Sequence, residues 1–158
     1  MITWTEFEKG QPALAAAGRE QFYVHGLGLG FLATVRADGG PRVHPVCPVV
    51  SPAGLHIVIQ PGPKLRDLRR DPRYSMHSET VAPPREDDGF ALSGQVTEVA
   101  NAGIRAVARE QFLADRDGQL WPGFDDHALF ELRLERCLLT LTTASGQLQK
   151  GQTTWKAA

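Results

Sequence analysis

The stretch PRVHPVCPVVSP, residues 41–52, decides how this sequence folds. Val43, Val46, Val49 and Val50 alternate with small or polar residues as a buried strand would, yet Pro41, Pro45, Pro48 and Pro52 put four prolines into twelve residues. Proline has no N–H to give to a ladder, so such a strand cannot be paired along both sides and belongs at a margin of its sheet. Two readings of that margin are open. It is either an edge that proline protects against aggregation, or a gap in which a flat heteroaromatic ligand satisfies the free backbone groups while Pro45 or Val46 supports its ring.

The neighbouring segments extend the reading. Phe31 to Arg36 (FLATVR) reads as a strand that turns at Ala37-Asp38-Gly39-Gly40 into the proline-rich one. Ser51-Pro52-Ala53-Gly54 turns again into Leu55 to Gln60 (LHIVIQ), so three antiparallel strands are expected to meander in sequence. Upstream, residues 1–27 form an N-terminal segment whose helix is Gln11 to Phe22, with Pro12 in its first turn and Gly18 weakening its pattern. Downstream, Pro61-Gly62-Pro63 stops the third strand and Lys64 to Asp71 (KLRDLRRD) makes a short helix with Leu65 and Leu68 inward. Strands follow at Arg73 to His77, at Phe90 to Val99 with Gly94 as a bulge, and at Leu129 to Thr142 with a break around Arg136-Cys137. Ile104, Val107, Ala108 and Phe112 mark a helix before Asp117-Gly118, and residues 148–155 supply a last strand. Many strands and few, short helices predict a mainly β chain, an antiparallel barrel forming one domain over residues 1–158.

Composition narrows the function. Seventeen basic and eighteen acidic residues leave a formal charge of -1, which argues against a sequence-blind nucleic-acid binder. No apolar run approaches the roughly twenty residues of a membrane span. The two cysteines, Cys47 and Cys137, stand far apart and no apolar secretory segment precedes the first charges, so a cytoplasmic protein with free thiols is expected.

One junction carries chemistry. At QPGPKLRDL, residues 60–68, a strand ends, a glycine turn follows, Pro63 presets the first helical residue and Lys64 opens the helix. Free helix N–H groups, the positive end of the helix dipole and an ammonium converge there, which favours a phosphate. The alternative is an ordinary surface helix with Lys64 and Arg66 in water. Arg69, Arg70 and Arg73 alternate with Asp67 and Asp71 and read as a solvated, ion-paired face. No metal site is expected: His44 and Cys47 are three apart, on opposite faces of a strand, and His25, His56, His77 and His127 show no ligand spacing. His56 and His127 read as satisfied polar residues. HGLGLGF precedes a strand rather than linking one to a helix, and no GxSxG elbow occurs. No catalytic residue is assigned, as expected where a bound cofactor supplies the reactive atom.

GFLATVRADGGPRVHPVCPVV (30–50), LHIVIQPGPKLRDLRRDPRYSMHS (55–78), DDGFALSGQVTEV (87–99) and TTWKAA (153–158) together resemble the pyridoxamine 5'-phosphate oxidase-like flavin-binding split barrels, from about Gly28 to the C-terminus. The resemblance implies a six-stranded split barrel flanked by short helices, a homodimer, and flavin mononucleotide (FMN) in a cleft between the chains. It places Arg42 and Lys64 near the phosphate, and Val43, His44, Pro45, Val46 and Cys47 along the flavin. Ile59 and Gln60 end the neighbouring strand beside the cofactor, and Trp155 reaches the ring across the dimer. It implies a flavin-dependent oxidoreductase acting on a small organic substrate, with His44 or His77 either structural or relaying a proton. Related barrels use an 8-hydroxy-5-deazaflavin or bind haem, so a deazaflavin-dependent reductase and a non-catalytic flavin- or haem-binding module are the alternatives. Gly62-Pro63-Lys64 stands where the oxidase has Ser-Arg-Lys, Cys47 replaces a basic residue, Gly89 falls where a glutamine is expected, and the substrate-binding arginine segment is missing. Authentic pyridoxamine phosphate oxidase activity is therefore not expected.

Overall fold

The structure, a computed structural model, describes residues 1–120, 124–142 and 152–158. Its first helix precedes the one expected at Gln11 and begins at a capping signal. The Thr3 hydroxyl accepts from the Glu6 N–H at 3.2 Å and the Glu6 carboxylate accepts from the Thr3 N–H at 2.7 Å, a capping box that satisfies two free donors. Helix α1 (Trp4–Gly10) then buries Trp4 and Phe7. Helix α2 (Pro12–Phe22) starts on Pro12, whose missing N–H has no partner to lose in the first turn, and it ends at Phe22 as expected.

The strands are β1 (Gly30–Val35), β2 (Pro41–Val46), β3 (Val49–Ser51), β4 (Gly54–Ile59), β5 (Arg73–Ser78), β6 (Gly89–Glu98), β7 (Ala128–Thr140) and β8 (Thr153–Lys156). Helix α3 (Pro63–Arg70) follows β4, and α4 (Ala102–Ala114) with a single turn at Phe124–Asp126 joins β6 to β7. All pairings are antiparallel, in the order β2-β1-β5-β6-β7-β4-β3. The far side of β7 is shared: Ala128 to Glu131 pair with β4, and Arg136 to Leu139 pair with β8. Of the last strand expected at 148–155, residues 148–151 lie outside the described ones.

Two expectations are corrected. The proline-rich stretch is two strands, because β2 ends at Val46 and β3 begins at Val49. Nor do the three strands meander: β2 pairs only with β1, and β3 pairs with β4. Pro45 sits within β2 opposite Phe31 but has no N–H for a strand on its other side, Pro48 falls in the break, and the chain steps from one margin of the curled sheet to the other across Cys47 and Pro48. The bulge expected at Gly94 is present. Gly94 faces Leu134 and Ser93 faces Arg136, so Glu135 is the extra residue, and the alternation in β7 breaks there.

Register shows which face is the core. His44, Leu32, Met76, Leu92, Cys137 and Trp155 stand side by side across six strands, and the four central members of this row are buried. The next row, Val43, Ala33, Ser75, Ser93, Arg136 and Lys156, faces outward. Phe90 anchors the core against Phe22 and Trp4, with ring centroids 5.7 and 6.4 Å away in edge-to-face arrangements. Leu65 and Leu68 of α3 enter the same core, each worth about 1.5–3 kcal/mol of apolar burial. Among the described residues no helix is long and apolar enough to cross a membrane.

Candidate functional site

A cleft of about 410 Å³ opens where the two margins of the sheet meet. Its walls come from β2 (Arg42, His44, Pro45, Val46), the corner (Cys47), β4 (Val58) and the Gln60–Lys64 junction. Alternation on β2 puts Arg42, His44 and Val46 on one side, and the strand's early end brings Cys47 to the same cleft. The expectation that His44 and Cys47 oppose each other therefore fails, because it assumed an unbroken strand. Even so, no group of three or more metal-ligating side chains is found among the described residues.

The cationic end is built by α3. Its N-cap, Gly62, offers no side chain, and the first intrahelical bond is from the Arg66 N–H to the Gly62 carbonyl at 3.2 Å. The N–H groups of Lys64 and Leu65 are thus in the uncapped first turn, and Pro63 has none to satisfy. Lys64 is half-buried, and no carboxylate lies within ion-pair distance of it among the described residues. Burial pushes its ammonium below the ordinary lysine range, and nearby Cys47 opposes this in part. Burial, then the charges of Lys64 and Arg42, likewise lower His44 against the opposing charge of Asp67, which favours its neutral imidazole.

Arg42 lines the cleft but is not free. Its Nε donates to the Oδ2 of Asp67 at 2.6 Å, a partner the sequence reading did not single out for it. The arginines expected to be ion-paired are so: Arg69 with Glu98, Arg70 with Asp67 and Arg73 with Asp71.

The remaining candidates are dispersed. Val43 is 60% exposed on the outer face, and Ile59 is fully buried in the core, so neither lines the cleft. Gln60 does line it. Trp155 packs on Phe7 with ring centroids 4.9 Å apart and borders a separate cavity over β6, β7 and β8. His77 stands in the outward row of Phe31 and Ala91, with its Nδ1 2.8 Å from the Ser78 carbonyl. A Cβ at Gly89 would lie 2.5 Å from the His77 ring, so a larger residue there requires that exposed side chain to turn away. His56 departs from expectation: it is buried, and its Nδ1 has no partner among the described residues.

No family profile and no curated protein matches this chain. Solved structures do. A conserved hypothetical protein from Mycobacterium tuberculosis matches with a TM-score of 0.61 at 20% identity, over 75% of this chain and 80% of that one. A heme binding protein from Mycobacterium smegmatis matches at 0.62 and 19% identity, over 88% of this chain but only 57% of that one. An F420 reductase matches at 0.55 and 21% identity, over 75% and 94%. At these identities the likeness speaks for the fold, which is an antiparallel split barrel flanked by short helices.

Proposed function

We propose that the chain is a single-domain, flavin-type oxidoreductase that holds the anionic tail of its cofactor at Lys64 and the ring beside Pro45, Val46 and Cys47. The observation that supports this reading is Lys64 itself: a half-buried ammonium without a carboxylate partner among the described residues, at an uncapped helix start in a cleft. Taking that charge out of water is unfavourable unless an anion offsets it, and a phosphate there would meet the ammonium, two N–H groups and the helix dipole together.

The donor set fits FMN. When bound, such a group supplies hydride or electron transfer to a small organic substrate, and the chain's residues do the rest. Lys64 and Arg42 hold the anion. Pro45, Val46 and Val58 give the ring an apolar support that excludes water, and Gln60 can meet its polar edge. A neutral His44 can accept a hydrogen bond on one ring nitrogen and donate on the other. We place the chain in a homodimer, with Trp155 serving the cofactor of a second copy, because Trp155 and Lys64 border different cavities of one chain. The free thiols Cys47 and Cys137 suit a reducing, cytoplasmic compartment.

A spectrum of the purified protein tests this. A yellow chromophore that bleaches on reduction and returns in air supports the flavin reading, and mass spectrometry of the released ligand identifies it. A chromophore acquired only from an 8-hydroxy-5-deazaflavin moves the protein to the deazaflavin-dependent reductases, which the likeness to the F420 reductase favours as second reading. A Soret band makes it a haem-binding module. A protein that takes up none of the three overturns the proposal.

A further inference from the structure

Asp67 has a role that neither the spacing of the charges in α3 nor the family resemblance assigns. It lies one turn into α3, buried, and its carboxylate is surrounded by donors. Oδ2 accepts from Arg42 Nε at 2.6 Å and from the buried Thr34 hydroxyl at 3.4 Å, and Oδ1 accepts from Arg70 Nη1 and Nη2 at 3.2 and 3.3 Å. Arg70 is itself fixed by donating to the Val35 carbonyl. Asp67 is therefore locked to β1 through Thr34, to the end of β1 through Arg70, and to β2 through Arg42.

Its grip on Arg42 is specific in direction. The carboxylate takes Nε, one of the three nitrogens of a planar fork, and no partner among the described residues takes Nη1 or Nη2. Arg42 is 27% exposed in its side chain and lines the cleft that also holds Lys64. An arginine free in water would lose most of its rotamer freedom on binding an anion, whereas one tethered through Nε has lost it already.

We propose that Asp67 is a positioning residue, which holds Arg42 by its Nε so that both Nη groups form a ready fork for the anion bound at Lys64. This rests on the proposed anion site. Asp67 acts through Arg42 and does not touch the ligand, which its own negative charge would repel.

The test compares FMN with riboflavin, which has the same ring but no phosphate, by fluorescence titration of the full chain. The wild type is expected to bind FMN much more tightly. Asp67→Asn is expected to lower FMN affinity about tenfold and leave riboflavin affinity unchanged, since only the prepared fork is lost. A merely structural role would weaken both ligands together, and that result overturns the proposal. Should Asp67→Asn fail to fold, Arg42→Lys keeps the charge but cannot offer Nε and two Nη groups at once, and it should show the same selective loss. FMN affinity unchanged in Arg42→Lys overturns the proposal as well. Lys64→Ala separates the two levels. If Lys64→Ala lowers FMN affinity but Asp67→Asn does not, positioning is wrong and the anion site stands. If wild type fails to prefer FMN over riboflavin, both fall.

Discussion

Gly28 lies directly against the carbonyl oxygen of Pro48, so close that a Cβ on Gly28 would sit 1.9 Å from it. This contact explains a glycine in HGLGLG that no turn requires, and it braces the corner at which the chain steps between the sheet's two margins. Gly28→Ala must displace backbone rather than a flexible side chain. Such overpacking costs about 1–3 kcal/mol or more. The thermal midpoint should fall by several degrees, and the cleft beside the corner should lose ligand affinity in the same variant; an unchanged melting curve would show that the corner is not braced there.

Lys64→Ala should weaken binding of a phosphate-bearing flavin by about ten- to a hundred-fold, the worth of one charge-assisted hydrogen bond. It should not lower the thermal midpoint of the ligand-free protein, because the ammonium it removes is half-buried without a carboxylate partner among the described residues. Titration and a melting curve on the same preparation check both halves. Unchanged affinity removes Lys64 from the site.

The two thiols should react differently. Cys47 is half-buried and borders the cleft, whereas Cys137 is buried in the inner row and burial pushes its thiol up to about 11, with the Trp155 backbone opposing in part. A thiol reagent should label Cys47 first in the folded protein, and bound FMN should slow that labelling. Labelling at Cys137 with equal speed, read by peptide mass spectrometry, would contradict the packing.

His56 should make the fold acid-sensitive. Burial lowers its imidazole, and a bond to the Gly54 backbone only partly opposes this. The unfolded chain protonates His56 near pH 6.5, about its ordinary value, while the folded chain resists, so stability falls as pH drops below that point. Glu131, which faces His56 from β7, is raised by burial and acts in the opposite sense at lower pH, above its ordinary value of about 4.3. Denaturant unfolding of wild type and His56→Leu between pH 7.5 and 5, taken as roughly the span of the titration, isolates the histidine. The wild type should lose stability relative to the variant as pH falls, and parallel profiles would count against this origin.

Much of the fold was legible because its signals are local. Period-two alternation found the strands, Gly94 marked the bulge, and Pro63 with Leu65 and Leu68 marked α3 to within a residue. Gly18 weakens the helical pattern of α2, but a Cβ there would meet the buried Phe90 ring at 2.5 Å, so the weakness is a packing requirement set seventy-two residues away. The capping box of Thr3 and Glu6 was available in the sequence and overlooked. Pairing was less legible: β2 and β4 are near neighbours along the chain, yet they lie toward opposite ends of the sheet order. Of the candidate site residues, Lys64, Gln60 and the alternate residues of β2 line one cleft, while the link of Asp67 to Arg42 is not legible in the sequence because only folding brings the two together.

The step from β2 to β3 also bears on what holds the cleft's walls apart. In the described sheet β2 is hydrogen-bonded only to β1 and β3 only to β4, so these margins are held by the Cys47-Pro48 link, by the contact of Gly28 with Pro48 and by the Arg42–Asp67 ion pair rather than by a ladder between them. Widening the slot breaks no rung. A guest in the slot therefore leans on side chains and on a braced corner, and no inter-strand hydrogen bond spans the opening it enters.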